Sequence, residues 1–336
     1  MADSDSVTTP VRRAHRPLAQ ALGFVVLVAL LQVVLVSMFG WSASRAAPHE
    51  LPVALAGPGE LTAAIGPGLD HARPGAFLIS YLPDDASAQA AVRARKVYAA
   101  LSMTTNGSTL YTAPAASPAA AQLLTQVFTA ALAQASPTTQ LQVQPLVVTT
   151  ANDPNGAGIP IALIPIAITS IAAGAVLGLL FRMRRRRILG LLGYAVLAGG
   201  LTASELQDGL GILSGNLLRN AAVIGLACLA ISAAVAGLAS LVGPPGLGLA
   251  VLVIFFFGFP FSGATSAWEF APTPWGHLAQ YLPVGALNAT LRSVAFFGGS
   301  GAATGWFVLG GWAVGGLLVS ALRGGTAPAA RHVAAA

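Results

Sequence analysis

The sequence predicts an α-helical polytopic membrane protein with six transmembrane helices, plus an extracytoplasmic mixed α/β domain between the first and second helices. Three observations lead there. Of 336 residues, 55% are hydrophobic and only 8% charged, and the mean hydropathy is +0.73; a soluble domain carries roughly 25% charged residues. Six apolar runs approach or exceed the roughly 20 residues that span a hydrocarbon core of about 30 Å. Between the first and second of them, residues 41–158 have the mixed composition of a globular domain.

Residues 1–17 are polar and include Arg12, Arg13 and Arg16. The first apolar run, Leu18 to Phe39, gives a transmembrane helix at 18–40. It exceeds the 7 to 15 apolar residues typical of a cleavable signal peptide. Although Ser42-Ala43-Ser44 would suit a peptidase, we read an uncleaved signal anchor with its N-terminus inside.

Within 41–158, Leu51–Ala56, Ala76–Leu82, Val97–Met103 and Leu141–Thr149 have strand composition. Two helices are expected between them. Pro83-Asp84-Asp85 caps Ala86–Arg95, and Ser117-Pro118 opens Ala119–Gln134 with Ser as N-cap and Pro at the first helical position. Such alternation predicts a compact α/β or α+β domain.

The remaining five spans form a domain at 159–322. Ile159–Phe181 and Ile188–Ser204 flank Arg182-Met183-Arg184-Arg185-Arg186-Arg187, whose five arginines (Arg182, Arg184, Arg185, Arg186, Arg187) form the topology anchor. Short Arg-rich loops stay cytoplasmic, so this loop lies inside and the 41–158 domain outside. A nucleic-acid patch is rejected because both flanks are spans. Glu205–Asn216 is then an outside loop, and Leu217–Val242 returns to an inside turn at Gly243-Pro244-Pro245-Gly246. Leu247–Ser262 exits, kinked or ended near Pro260, and an outer segment at 263–300 precedes the last span, Gly301–Leu322. A cytoplasmic tail, 323–336, follows. Sorted this way, ten basic and two acidic residues fall inside, against seven basic and nine acidic outside.

No catalytic constellation is present: the five histidines are scattered, and neither a P-loop nor a GxSxG motif occurs. We therefore expect a non-enzyme with no catalytic, cofactor-binding or metal-ligating residues. Cys228, the sole cysteine, reads as a small packing residue. The runs 159–181 and 247–262 contain no ionisable group, which disfavours a proton-driven pump. Glu205, Asp208 and Arg219 map to the outer border of the spans as ordinary interfacial residues. Gly174-x-x-x-Gly178 and Gly311-x-x-x-Gly315 offer smooth stripes for helix packing, within the subunit in preference to a dimer seam. In the outer segment, Trp268, Phe270, Trp275 and Tyr281 are aromatics that favour a membrane–water interface. With Glu269 and Arg292 they read as short helices lying at the outer leaflet or re-entering it, either as an outer gate or as an interfacial cap that seals the bundle.

The order of one span, a large outside domain and a block of five resembles the ABC-2-type transporter permease superfamily. Within it, the chain is similar to the phage-infection-protein-like membrane proteins of Gram-positive bacteria. Local matches are Asp84-Asp85-Ala86 to Ala100, Asp153-Pro154-Asn155-Gly156, Leu282-Pro283-Val284-Gly285-Ala286, Leu291-Arg292 and Phe297-Gly298-Gly299. The resemblance implies a subunit for export of a lipid, drug or envelope precursor, acting as a homodimer with a separate ATPase subunit. It transfers no catalytic residue, and the inside loops offer an ATPase little surface. The alternative is a non-transporting envelope membrane protein whose outer domain binds a partner or phage. With one lysine against sixteen arginines, the expected setting is a bacterial plasma membrane, with lipid as the immediate partner and both termini cytoplasmic.

Overall fold

The computed structural model describes residues 15–104, 107–135, 140–181 and 183–322. The tails at 1–14 and 323–336 and the anchor residue Arg182 lie outside the described residues. The chain divides into two units after Ser44. The first contains helix α1 (His15–Ser44), and its stretch Gln20–Ser44 has a mean hydropathy of 2.7.

The second unit begins with an α/β domain. Strands β1 (Leu51–Ala56), β2 (Phe77–Leu82), β3 (Ala99–Thr104), β4 (Gly107–Thr112) and β5 (Leu141–Pro145) form one sheet in the order β2-β1-β3-β4-β5. β1 runs parallel to β2 and β3, β3 and β4 are antiparallel, and β5 runs parallel to β4. Helices cover both faces, so the interior strand β1 is an almost unbroken apolar run. On one face, α2 (Gly59–Ala72) and α4 (Pro118–Ala135) bring Ile65, Leu69, Leu124 and Phe128 onto Leu51, Leu55, Leu101 and Leu110. On the other, α3 (Asp85–Arg93) packs Ala88 and Val92 against Ala54, Ala56, Ala100 and Tyr111.

The helix starts follow their caps. Asp84 Oδ1 accepts from the Ser87 amide at 2.8 Å and Ser87 Oγ accepts from the Asp84 amide at 3.3 Å, a capping box for α3. Ser117 Oγ accepts from the Ala120 amide at 3.2 Å ahead of α4. Two elements go beyond the sequence reading, α2 and β4. α2 holds Gly59, Gly66, Gly68 and an internal Pro67, residues that oppose helix in isolation. Burial of Ile65 and Leu69 holds it nonetheless. β5 stops at Pro145, short of the expected Thr149, and four of its five residues are exposed.

Beyond the domain lie α5 (Gly158–Leu180), α6 (Arg184–Ser204), α7 (Leu217–Val242) and α11 (Ala303–Leu322). A π-helical turn, Glu205–Gly209, prolongs α6. With α1 these make five helices long and apolar enough to cross a membrane, among the described residues. α7 is the hub: 72% of its apolar window is buried, against 33% for α5 and 22% each for α6 and α11. Glycine permits the closest crossings. A Cβ on Gly174 would come 2.5 Å from the Ser232 carbonyl oxygen, and one on Gly178 2.8 Å from the Ala236 Cα, so this predicted stripe packs α5 onto α7.

The expected fifth span, Leu247–Ser262, is not a long helix. After Gly243 (φ 77°), α8 (Pro244–Val251) passes into a π-helical stretch, Leu252–Phe257. Pro244–Phe257 is a shorter apolar helix, and at about 1.5 Å per residue it falls well short of the roughly 30 Å of a hydrocarbon core. Two prolines open it, and Gly258 and Pro260 fall in the turn that ends it. The arginine loop is also shorter than expected, because α6 begins at Arg184. Arg184, Arg185 and Arg186 are exposed on its first turn, while Arg187 is buried and donates to the Ser320 carbonyl of α11.

Candidate functional site

The segment between α8 and α11 holds a 3₁₀ turn (Trp268–Phe270), α9 (Trp275–Gln280) and α10 (Pro283–Phe296). Twelve residues of α10 are buried, including Asn288 and Arg292. Asn288 Nδ2 donates to the Gly263 carbonyl at 3.0 Å, and Gln280 Nε2 to that of Ser262 at 3.2 Å, which ties the segment back to the end of the α8 limb.

Arg292, only 3% exposed, joins three parts of the chain. Its Nε donates to Asn288 Oδ1 at 3.1 Å, Nη1 to the Ala115 carbonyl of the α/β domain at 3.1 Å, and Nη2 to the Ala264 carbonyl at 3.2 Å. Desolvation is the main reason its pKa falls to about 10, with nearby Arg95 adding to the drop.

Glu269 is equally buried, 5% exposed. Tyr98, immediately before β3, donates its hydroxyl to Glu269 Oε2 at 2.9 Å, and the His49 amide donates to the Glu269 carbonyl at 2.9 Å. Burial pushes the Glu269 carboxyl up to about 7, against the opposing pull of the Tyr98 hydrogen bond and the Arg95 charge. The Tyr98 hydroxyl is driven well above its ordinary value, chiefly by burial and then by the Glu269 charge.

Arg95 completes the cluster. It sits just past α3 with φ 56°, a left-handed position that ordinarily favours glycine. Its Nη1 donates to the Ala289 carbonyl of α10 at 2.6 Å, and its guanidinium lies 5.6 Å from the Phe297 ring centroid. Arg95, Lys96, Tyr98, Trp268 and Glu269 all line a cavity of about 190 Å³ between the α/β domain and α10.

Of the four residues predicted for this segment, then, Trp268 and Glu269 meet at the cavity, while Arg292 and Trp275 do not line it. Trp268 packs on His277 with ring centroids 4.5 Å apart. Trp275 turns toward Phe257 (5.5 Å) and Phe261 (5.9 Å). Glu269 and Arg292 are not hydrogen-bonded to each other; each is held by a different part of the α/β domain. Sequence reading missed Arg95, Lys96 and Tyr98. The one local sign was two basic residues together at the end of a capped helix.

Larger grooves among the described residues include the following three. One of about 610 Å³ lies between α5 and α6, lined among others by Pro165, Thr169, Tyr194, Ala198, Glu205 and Cys228. Its polar floor is the Tyr194 hydroxyl, 3.2 Å from both Thr169 Oγ1 and Ser170 Oγ. A second, of about 520 Å³, runs between α7 and α11. Here the predicted Gly311–Gly315 stripe lines the groove and meets open space, whereas Gly316, one position on, makes the close contact with Ala233 of α7. A Cβ on Gly311 or Gly315 would have no neighbour within 4 Å. The third, of about 490 Å³, separates α2 from α4 in the α/β domain, with Arg73, Gln126 and Gln134 among its residues. Compared with known proteins, the chain matches no family model, no curated protein and no solved structure.

Proposed function

We propose that this protein is an export subunit of the ABC-2 permease type that moves an amphiphile (a lipid, a drug or an envelope precursor) outward, driven by a separate ATPase subunit. The groove between α5 and α6 carries this reading. It is large, apolar along its length and floored by hydroxyls, with Glu205 at one end. Such a surface accepts an apolar chain and orients one polar group, as ligand sites generally do. In this reading the α/β domain is extracytoplasmic, the exposed arginines of α6 are cytoplasmic, and Pro244–Phe257 is a shortened fifth element that leads into an outer segment at 263–300. Basic residues at a helix N-terminus oppose the helix dipole, so topology is a better reason for Arg184–Arg186 than helix stability.

The test is export from cells that lack the protein, complemented with wild type or with Ala198→Trp, which fills the groove. Loss of export of a lipid or drug probe at unchanged protein yield is expected. Undiminished export across a broad panel in the deletion strain would refute the proposal. Co-purification then asks whether an ATPase accompanies the tagged protein. The groove between α2 and α4 favours the second reading, a non-transporting envelope protein whose α/β domain binds a partner. That reading gains if export is intact and Leu123→Trp, which blocks this groove, abolishes partner capture.

A further inference from the structure

We propose that the cavity between the α/β domain and α10 is a binding site for an oxyanion group, a phosphate above all, held by Arg95 and Lys96.

Charge makes the case first. Two guanidinium groups, Arg95 and Arg292, are packed into one junction, and their hydrogen-bond acceptors are the carbonyls of Ala289, Ala115 and Ala264 and the amide of Asn288. Neither forms an ion pair among the described residues. Arg292 is buried and Arg95 half-buried, and desolvating cations that are not directly ion-paired is unfavourable. The carboxyls that act on them are Glu269, which is engaged by Tyr98 and lies near Arg95, and Asp153, which acts on Arg292.

Geometry comes second. Arg95 occupies a backbone position where glycine is the easy choice, so its side chain is the reason for an arginine there. One nitrogen, Nη1, is used on Ala289, and the Phe297 face fixes the guanidinium plane. Nε and Nη2 make no other hydrogen bond among the described residues. A planar fork of free donors fits phosphate or carboxylate oxygens two at a time. Lys96 adds a second, solvent-exposed cation at the rim.

Size decides the class. The cavity, about 190 Å³, holds the equivalent of about six waters at roughly 30 Å³ each. That accommodates a phosphate group with some hydration but not an acyl chain. The group therefore comes either from a free oxyanion or from a lipid headgroup reaching in.

Binding is also linked to a proton. Around Glu269 stand Tyr98, Arg95 and Lys96 of the α/β domain and His49 before β1; His277 packs on neighbouring Trp268, and Arg292, on which Asp153 acts, lies beyond Tyr98 and Arg95. An anion seated on Arg95 opposes the Glu269 carboxylate, so binding favours its protonated form and tightens as pH falls.

The experiment uses the full chain, in detergent and in phosphatidylcholine nanodiscs, with calorimetry and thermal shift as readouts. Inorganic phosphate is the first probe. Sulfate, which does not titrate near neutrality, serves for the pH profile, and nanodiscs doped with phosphatidic acid form the lipid arm. Wild type should bind in at least one arm, and sulfate roughly tenfold more tightly at about pH 6 than at about pH 8. Arg95→Gln should weaken binding at least tenfold and Lys96→Gln severalfold. Glu269→Gln should hold the low-pH affinity at both pH values. Binding seen with phosphatidic acid and not with free ions assigns the headgroup as the source. No response in any arm overturns the proposal, as does unchanged affinity in Arg95→Gln. If Arg95→Gln fails to fold, unchanged affinity in both Lys96→Gln and Glu269→Gln overturns it equally.

Discussion

The Tyr98 hydroxyl donates to Glu269 Oε2 at 2.9 Å across 171 positions of sequence. That bond, with Arg292 on Ala115 and Arg95 on Ala289, seats the α/β domain on the segment that precedes the last long helix. The two parts therefore share one polar junction, and substitutions there are felt on both sides.

Stability should depend on pH through Glu269. Its carboxyl is raised from 4.5 to about 7, so the charged form is the one the fold disfavours. Its contribution is fully present below the unfolded value and is lost as pH rises through about 7. The loss is at most about 3.5 kcal/mol, since one pKa unit corresponds to about 1.4 kcal/mol. Glu269→Gln should flatten this trend and melt higher than wild type under mildly alkaline conditions. Parallel melting-versus-pH curves for the two proteins would rule out the linkage.

Gly174 and Gly311 should respond in opposite ways to the same change. A methyl group at Gly174 meets the α7 backbone, and one at Gly311 meets nothing. Gly174→Ala is expected to cost about 1–3 kcal/mol through overpacking. Gly311→Ala should be neutral or gain up to about 1 kcal/mol of helix propensity. Thermal melting of purified protein compares them directly, and equal losses would contradict the difference in packing.

Trp268 and Trp275 separate a gate from a structural cap. Trp275 is sandwiched near Phe257 and Phe261, so Trp275→Ala should cost about 3 kcal/mol or more and reduce yield. Trp268 lines the cavity beside His277, so Trp268→Ala should change binding or export more than melting. If the two variants lose stability alike and activity only in proportion, both residues belong to the cap alone.

Orientation is testable with single cysteines in a Cys228→Ala background. Ala86, exposed on α3, should react as Ala86→Cys with an impermeant thiol reagent in intact cells. Pro245→Cys, at the exposed start of α8, should react only after permeabilisation. Replacing Arg184, Arg185 and Arg186 with Gln should mix the two patterns, because positive charge in short loops holds orientation. The reverse labelling pattern would invert the proposed topology.

Much of the architecture was legible from local signals. Apolar run length located α1, α5, α6, α7 and α11, and the Asp84 and Ser117 caps placed the starts of α3 and α4 within a residue or so. These signals are local, because hydropathy and capping act over one or a few helical turns. Leu247–Ser262 read as a span because its composition is apolar throughout, whereas the helix formed is the fourteen-residue Pro244–Phe257; where the chain turns after it was left to Gly258, Pro260 and the Asn288 and Gln280 contacts.

What only the tertiary structure decided is which side chains meet. Trp268, Glu269, Trp275 and Arg292 are neighbours in sequence terms, yet Arg292 bonds to Ala115 and Glu269 to Tyr98, partners 177 and 171 positions away. Gly174 and Gly311 open identical motifs, and only the first meets another helix. α2 forms despite Pro67 and three glycines because Ile65 and Leu69 gain a core that no local window contains. Composition and periodicity determine what each segment can be. Desolvation, packing and charge, which depend on partners far along the chain, determine what it is next to.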